Sequence, residues 1–222
     1  MSEVSTAETT MTRGEATLAV SSFERPIERR YQDPVDLIWI ATAKRLGLTI
    51  RRNPAIFSAT DGKGLLELGP LSTLDADDST AQMIFHELCH WITNGVASFH
   101  ERDWGFALDA ELDWREHACL RLQAALADTH GLRTALAPTS QFRKYYDEIP
   151  ADPFGPVPGW PCEDLVVPHA FNSFVRAQAA PWGEPLAAVL AAHASIRDAV
   201  TPFLPDYATD IPDDPLPSLW KA

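Results

Sequence analysis

Apolar positions recur along this chain with two periods, and the alternation between those periods divides it into elements. Asp33-Pro34 is a helix start, with Val35, Ile38, Trp39 and Thr42 spaced along one face as far as about Arg45 and Gly47 as the stop. Leu48–Arg51 and Ala55–Thr60 then read as strands, and Asp61-Gly62-Lys63-Gly64 turns the chain into a third at Leu65–Leu68. A small, mainly antiparallel sheet is expected there, ended by Gly69-Pro70. The next segment, Thr80–Thr93, is apolar on nearly every helical face; Asp77, Asp78 or Ser79 can cap it, and Asn94-Gly95 stops it. A loop, Val96–Asp109, leads to a helix over about Leu112–Thr129 that alternates apolar and polar residues at helical spacing. Residues 150–168 are too rich in proline for regular structure, and helices are expected again around His169–Ala179 and Pro185–Val200. The pattern gives an α+β fold: a polar, flexible leader over 1–30, one domain over 31–204, and a Pro- and Asp-rich tail over 205–222.

Charge narrows the partners. Acidic residues outnumber basic ones 31 to 18, a formal charge of −13. Such a field repels nucleic acid and anionic lipid and favours cations, metal ions included. No apolar run approaches the roughly 20 residues of a membrane span, and the N-terminus lacks the pattern of a signal peptide. Cys89, Cys119 and Cys162 are scattered and form no C-x-x-C pair, so neither a disulfide framework nor a cysteine zinc knuckle is expected. A cytoplasmic location follows as the default.

The chemistry is concentrated in one place. His86-Glu87-Leu88-Cys89-His90 is an H-E-x-x-H sequence inside the apolar helix. Spacing of four puts both imidazoles on one helical face, one turn apart, where they can share a metal ion. Glu87 projects slightly off that line, where a carboxylate can act as general base toward a water molecule. Cys89 faces away and reads as a small buried hydrophobe. A catalytic site needs a third protein ligand and a position for water or substrate. His100, Asp103, Asp109, Glu111, Asp113, Glu116 and His117 are the candidates. Glu116 is chosen, because a helix holds a ligand more rigidly than a loop and Ala118 permits close helix packing; His117 and Asp103 follow. Phe142–Tyr146 reads either as a source of a Tyr or Arg that steadies an oxyanion or as a helix packing edge. His169 and Cys162 could approach the site from the proline-rich side.

The order helix, small sheet, H-E-x-x-H helix and Glu-bearing helix, over roughly residues 33–130, resembles the zincin-like metallopeptidases with a glutamate ligand, the compact ImmA and IrrE type above all. The Glu116-His117-Ala118 context matches theirs. That resemblance implies zinc (Zn2+) held by His86, His90 and Glu116, Glu87 as general base, and hydrolysis of a peptide or protein substrate. A shorter stretch resembles the bacterial elongation factor P hydroxylases: His86-Glu87, His90-Trp91 and Gly95, then Asp103-Trp104-Gly105-Phe106. It spans about 25 residues and implies iron (Fe2+) in a facial triad and an oxygenase. A third reading is a non-catalytic protein in which a metal staples two helices, with four protein ligands and no open position.

Overall fold

The computed structural model describes residues 31–74, 78–106, 114–138 and 142–203. The leader and tail readings therefore lie outside the described residues, as do the candidate ligands Asp109, Glu111 and Asp113 and the possible cap Asp77. The chain divides after Gln32, and every element below belongs to the unit that begins at Asp33.

Helix α1, Pro34–Arg45, starts where Asp33 accepts the amide of Val35 at 2.8 Å, with Pro34 in the first turn. It buries Val35, Trp39, Thr42 and Ala43. Strands β1 (Thr49–Arg52), β2 (Ser58–Thr60) and β3 (Leu65–Leu68) form one sheet in the order β1-β3-β2. The mainly antiparallel expectation needs correction: β2 runs antiparallel to β3, but β1 runs parallel to it, with Thr49 opposite Leu65. Burial explains the order. Leu66 and Leu68 are fully buried, so β3 takes the centre, while polar β1 is left at an edge, where Arg51 bridges to Glu67. Strand β2 is also shorter than its apolar run, because Asn53 folds back to accept the amide of Ala55 and bends the chain before Pro54-Ala55 can extend.

Helix α2, Thr80–Asn94, carries the H-E-x-x-H residues. Ser79 is its cap, in a capping box with Gln82 that satisfies two amides reciprocally. Its far end is capped from a distance. Arg176 donates to the carbonyls of Ile92 and Thr93, and His169 lies 3.0 Å from the Thr93 carbonyl. His169 is thereby committed to holding α2, not to the site.

Helix α3, Trp114–Asp128, is buried along its whole length from Glu116 to Ala127. An amphipathic helix with one wet face is not what forms; α3 is the partition between two apolar clusters. Cys119, Leu122 and Leu126 face one of them, with α1, α2, β3 and helix α6, Gly183–Val200. Ala118, Leu120 and Ala124 face the other, with Tyr145 of α4 (Arg143–Glu148) and Val166 and Ala170 of α5 (Glu163–Ala177). Ala118 therefore eases packing on the side that meets α4 and α5, not on the side of α2. The segment 142–146 is a packing edge, with Tyr145 and Tyr146 buried.

Polar groups on a helix buried all round must find partners. Arg121 is wholly buried and donates to Tyr145 Oη at 2.6 Å, to the carbonyls of Pro153 and Gly155, and to Glu163. Those bonds hold the proline-rich stretch 150–162, which is irregular as expected. Helix α5 starts at Glu163, earlier than the sequence pattern indicates, and tolerates Pro168 inside it. Glu163 fixes that first turn by accepting also from Tyr145 Oη and from the amide of Val157, both at 2.7 Å. Cys162 is exposed and takes no part in the metal cluster described below. Among the described residues no helix is long and apolar enough to cross a membrane.

Helix α6 docks on α1 through His193, whose Nδ1 accepts from Trp39 Nε1 at 3.2 Å. Burial, then the nearby Arg197 charge, lower its pKa from 6.5 to about 4. The unfolded chain thus binds the extra proton between those two values, so stability present above pH 6.5 is lost as pH falls through 4. The loss should be on the order of 2 kcal/mol, and His193→Gln, which keeps an acceptor but cannot titrate, should lack it. Urea midpoints at pH 7 and pH 4.5 test this; equal shifts in both proteins would contradict it.

Candidate metal centre

Four donor-bearing side chains meet where α2 crosses α3. The ligand atoms of His86, His90, Glu116 and Cys119 all lie within 4.8 Å of one another. His86 Nε2 is 3.5 Å from Glu116 Oε1, and His90 Nε2 is 3.0 Å from Glu116 Oε2. Each helix contributes a pair, at i, i+4 on α2 and at i, i+3 on α3, which are the two spacings that align side chains on one face. Glu116 stands in the first turn of α3, because that helix begins at Trp114.

Among the described residues, the other candidates lie outside the cluster. Asp103 takes a left-handed backbone, φ 49°, and its carboxylate accepts the amide of Thr60 at 2.9 Å, tying its loop to β2. His117 turns to the opposite side of α3 and stacks on Tyr145, centroids 3.9 Å apart. His100 is exposed on the loop after α2.

The neighbours of the cluster hold its rings in place. His86 Nδ1 lies 2.9 Å from Gln123 Oε1, and Gln123 Nε2 donates to the Leu136 carbonyl at 2.6 Å. The carbonyl bond fixes which end of the amide faces His86. An oxygen there can only accept, so Nδ1 carries a proton and Nε2 is the ring atom turned toward Glu116. This is the orientation found when histidine ligates a metal through Nε2 with a supporting partner behind it. Gln123→Leu should weaken zinc binding by about 10–100-fold, measured by competition with a chelating dye; unchanged affinity would count against that support. His90 is held differently, stacked on Phe106 at 4.1 Å with the planes 17° apart. The guanidinium of Arg115 lies over the same Phe106 ring.

Electrostatics of the cluster as it stands are costly. Glu116 is only 6% exposed. Burial opposes its ionisation, yet the charges of His90 and His86 outweigh that and lower its pKa to about 2. Burial likewise opposes charge on His90, but the Glu116 carboxylate prevails and raises it to about 9. Even so, His90 Nε2 and Glu116 Oε1 are buried with no hydrogen-bond partner; the 3.0 Å approach of His90 to Glu116 lacks the alignment of a hydrogen bond. Unsatisfied buried groups converging on one point are what a cation would satisfy. Two imidazoles and a carboxylate suit zinc or ferrous iron, and the spacing of the donor atoms is near the edges of a coordination polyhedron. The thiols differ. Burial, then Glu116, push the Cys119 thiol up, and Cys89 is raised likewise and lies outside the cluster.

Glu87 is buried beside the cluster and not in it; its Oε1 accepts from Ser58 Oγ of β2 at 2.6 Å. The sheet thus reaches the carboxylate. Ser58, Gln123, Phe106 and Cys119 are the site residues that sequence reasoning missed. For Cys119 a signal existed, since it follows Glu116 by three on the same helix. No protein-family model matches the chain, no curated protein matches it, and no solved structure matches it.

Proposed function

We propose that the protein is a zinc-dependent hydrolase of the metallopeptidase or amidase type, with a zincin-like arrangement of α1, the sheet, α2 and α3. The observation that carries this reading is the convergence of His86, His90 and Glu116 on a point where His90 Nε2 and Glu116 Oε1 are buried without hydrogen bonds. A zinc ion held there would polarise a carbonyl and lower the pKa of water toward about 7. Glu87, oriented by Ser58, receives the proton of the attacking water and returns it to the leaving amine. A peptide or protein substrate fits this chemistry, and the acidic charge of the chain disfavours nucleic acid and anionic membrane as partners.

Glu87→Gln separates binding from turnover. The variant should keep its metal and lose hydrolysis of a peptide or amide library by 10²–10⁴-fold, the usual span for a general base. Undiminished hydrolysis would exclude this role for Glu87. The same two histidines and carboxylate could instead hold ferrous iron for a hydroxylase, and the packing of Phe106 on His90 draws the second resemblance into the site. Oxygen consumption by the iron-loaded protein with a peptide substrate distinguishes that reading.

A further inference from the structure

Helix α3 offers the cluster a second donor beyond Glu116. Cys119 lies one turn along the same face, is fully buried, and places its Sγ within 4.8 Å of both imidazole nitrogens and the carboxylate. Its sulfur lies 4.0 Å from the carbonyl of His86, a weak contact for a thiol, and also meets the Thr93 side chain. Donors around a tetrahedral ion with bonds of about 2.0–2.3 Å stand about 3.3–3.6 Å apart. Of the carboxylate–imidazole distances, 3.5 Å falls in that range and 3.0 Å lies just below it. A sulfur drawn in from within 4.8 Å to that separation completes the figure. Glu116 Oε1 and His90 Nε2, buried and without hydrogen bonds, mark where the ion would sit.

We infer that Cys119 is a fourth protein ligand, so that the resting metal is enclosed by two nitrogens, one oxygen and one sulfur. This rests on the reading of the cluster as a metal site, and it adds the identity of the metal. Sulfur is a soft donor that favours zinc, whereas ferrous iron in hydroxylases takes two His and a carboxylate with open positions. As the sulfur–metal bond forms, the S–H bond breaks and the proton leaves to solvent; no electron changes hands. Four protein ligands are also what the metal-staple reading expects, so hydrolysis at such a centre requires the zinc to accept a fifth ligand or the sulfur to yield its place.

X-ray absorption at the zinc edge tests this on the zinc-loaded full chain. The expected wild-type spectrum contains one sulfur at about 2.3 Å among nitrogen and oxygen at about 2.0–2.2 Å. Cys119→Ser should keep one equivalent of zinc, lose the sulfur, and lose at least tenfold of the preference for zinc over ferrous iron in a competition assay. Zinc bound by nitrogen and oxygen alone in the wild type overturns the role of Cys119 and leaves the metal site standing. No bound zinc at all overturns the metal reading itself. The wild-type spectrum decides the matter even where the variant fails to fold.

Discussion

Glu116→Ala is expected to abolish metal binding while leaving the fold in place. The carboxylate is the group that α3 supplies between two imidazoles of α2, at 3.5 and 3.0 Å. Removing it takes away a ligand, so the loss should exceed the roughly 10–100-fold that removal of a supporting contact costs. The variant should stay folded but lose some stability, because the buried His90 then stands without its carboxylate. An ionised carboxylate that is 6% exposed is held against a heavy desolvation cost. Losing it without metal removes both the cost and the attraction to His90. Isothermal titration with zinc, alongside circular dichroism, measures the two effects together. Affinity within about tenfold of wild type would mean that another side chain closes the site.

Arg121→Met should cause the largest loss of stability. This guanidinium has no exposed surface, and its partners come from three places: Tyr145 on α4, the carbonyls of Pro153 and Gly155, and Glu163 at the start of α5. Met fills comparable volume but donates nothing, leaving Glu163 without its cation and two carbonyls without a donor. Breaking one partner of a buried pair costs about 3–5 kcal/mol. At about 1–3 kcal/mol per molar of urea, the midpoint should fall by more than about 1 M. The damage should extend to the metal helix, because α5 also caps α2 through Arg176 and His169. Adding Glu163→Leu should restore part of the loss, since the stranded charge is then gone. A single variant with an unmoved midpoint would show that the network is dispensable.

What the sequence reveals here and what it conceals follow from the range of the interactions. Helix α2 was legible because its signals are local: a choice of caps at Asp77, Asp78 and Ser79, Asn94-Gly95 at the stop, and two histidines four apart. Glu116 was legible by the same logic of helical position. The supports of the site were not. Gln123 lies 37 residues from His86, and Ser58 lies 29 from Glu87; nothing in either local pattern announces the pairing. The polar residues of α3 suggested a wet face, but Arg121 and Gln123 are buried because each finds distant carbonyls to satisfy it. The parallel pairing of β1 with β3 was hidden too, since strand spacing does not say which strand takes the centre. Cys119 was concealed because a buried thiol reads as a small hydrophobe, although it shares a helical face with Glu116.

The most direct test of the central claim is elemental analysis of the untagged chain after loading and exhaustive dialysis. One tightly held equivalent of divalent metal per chain is expected in the wild type and none in His90→Ala. A wild-type chain that retains no metal, or a His90→Ala chain that retains as much, would contradict the account of this cluster as a metal centre.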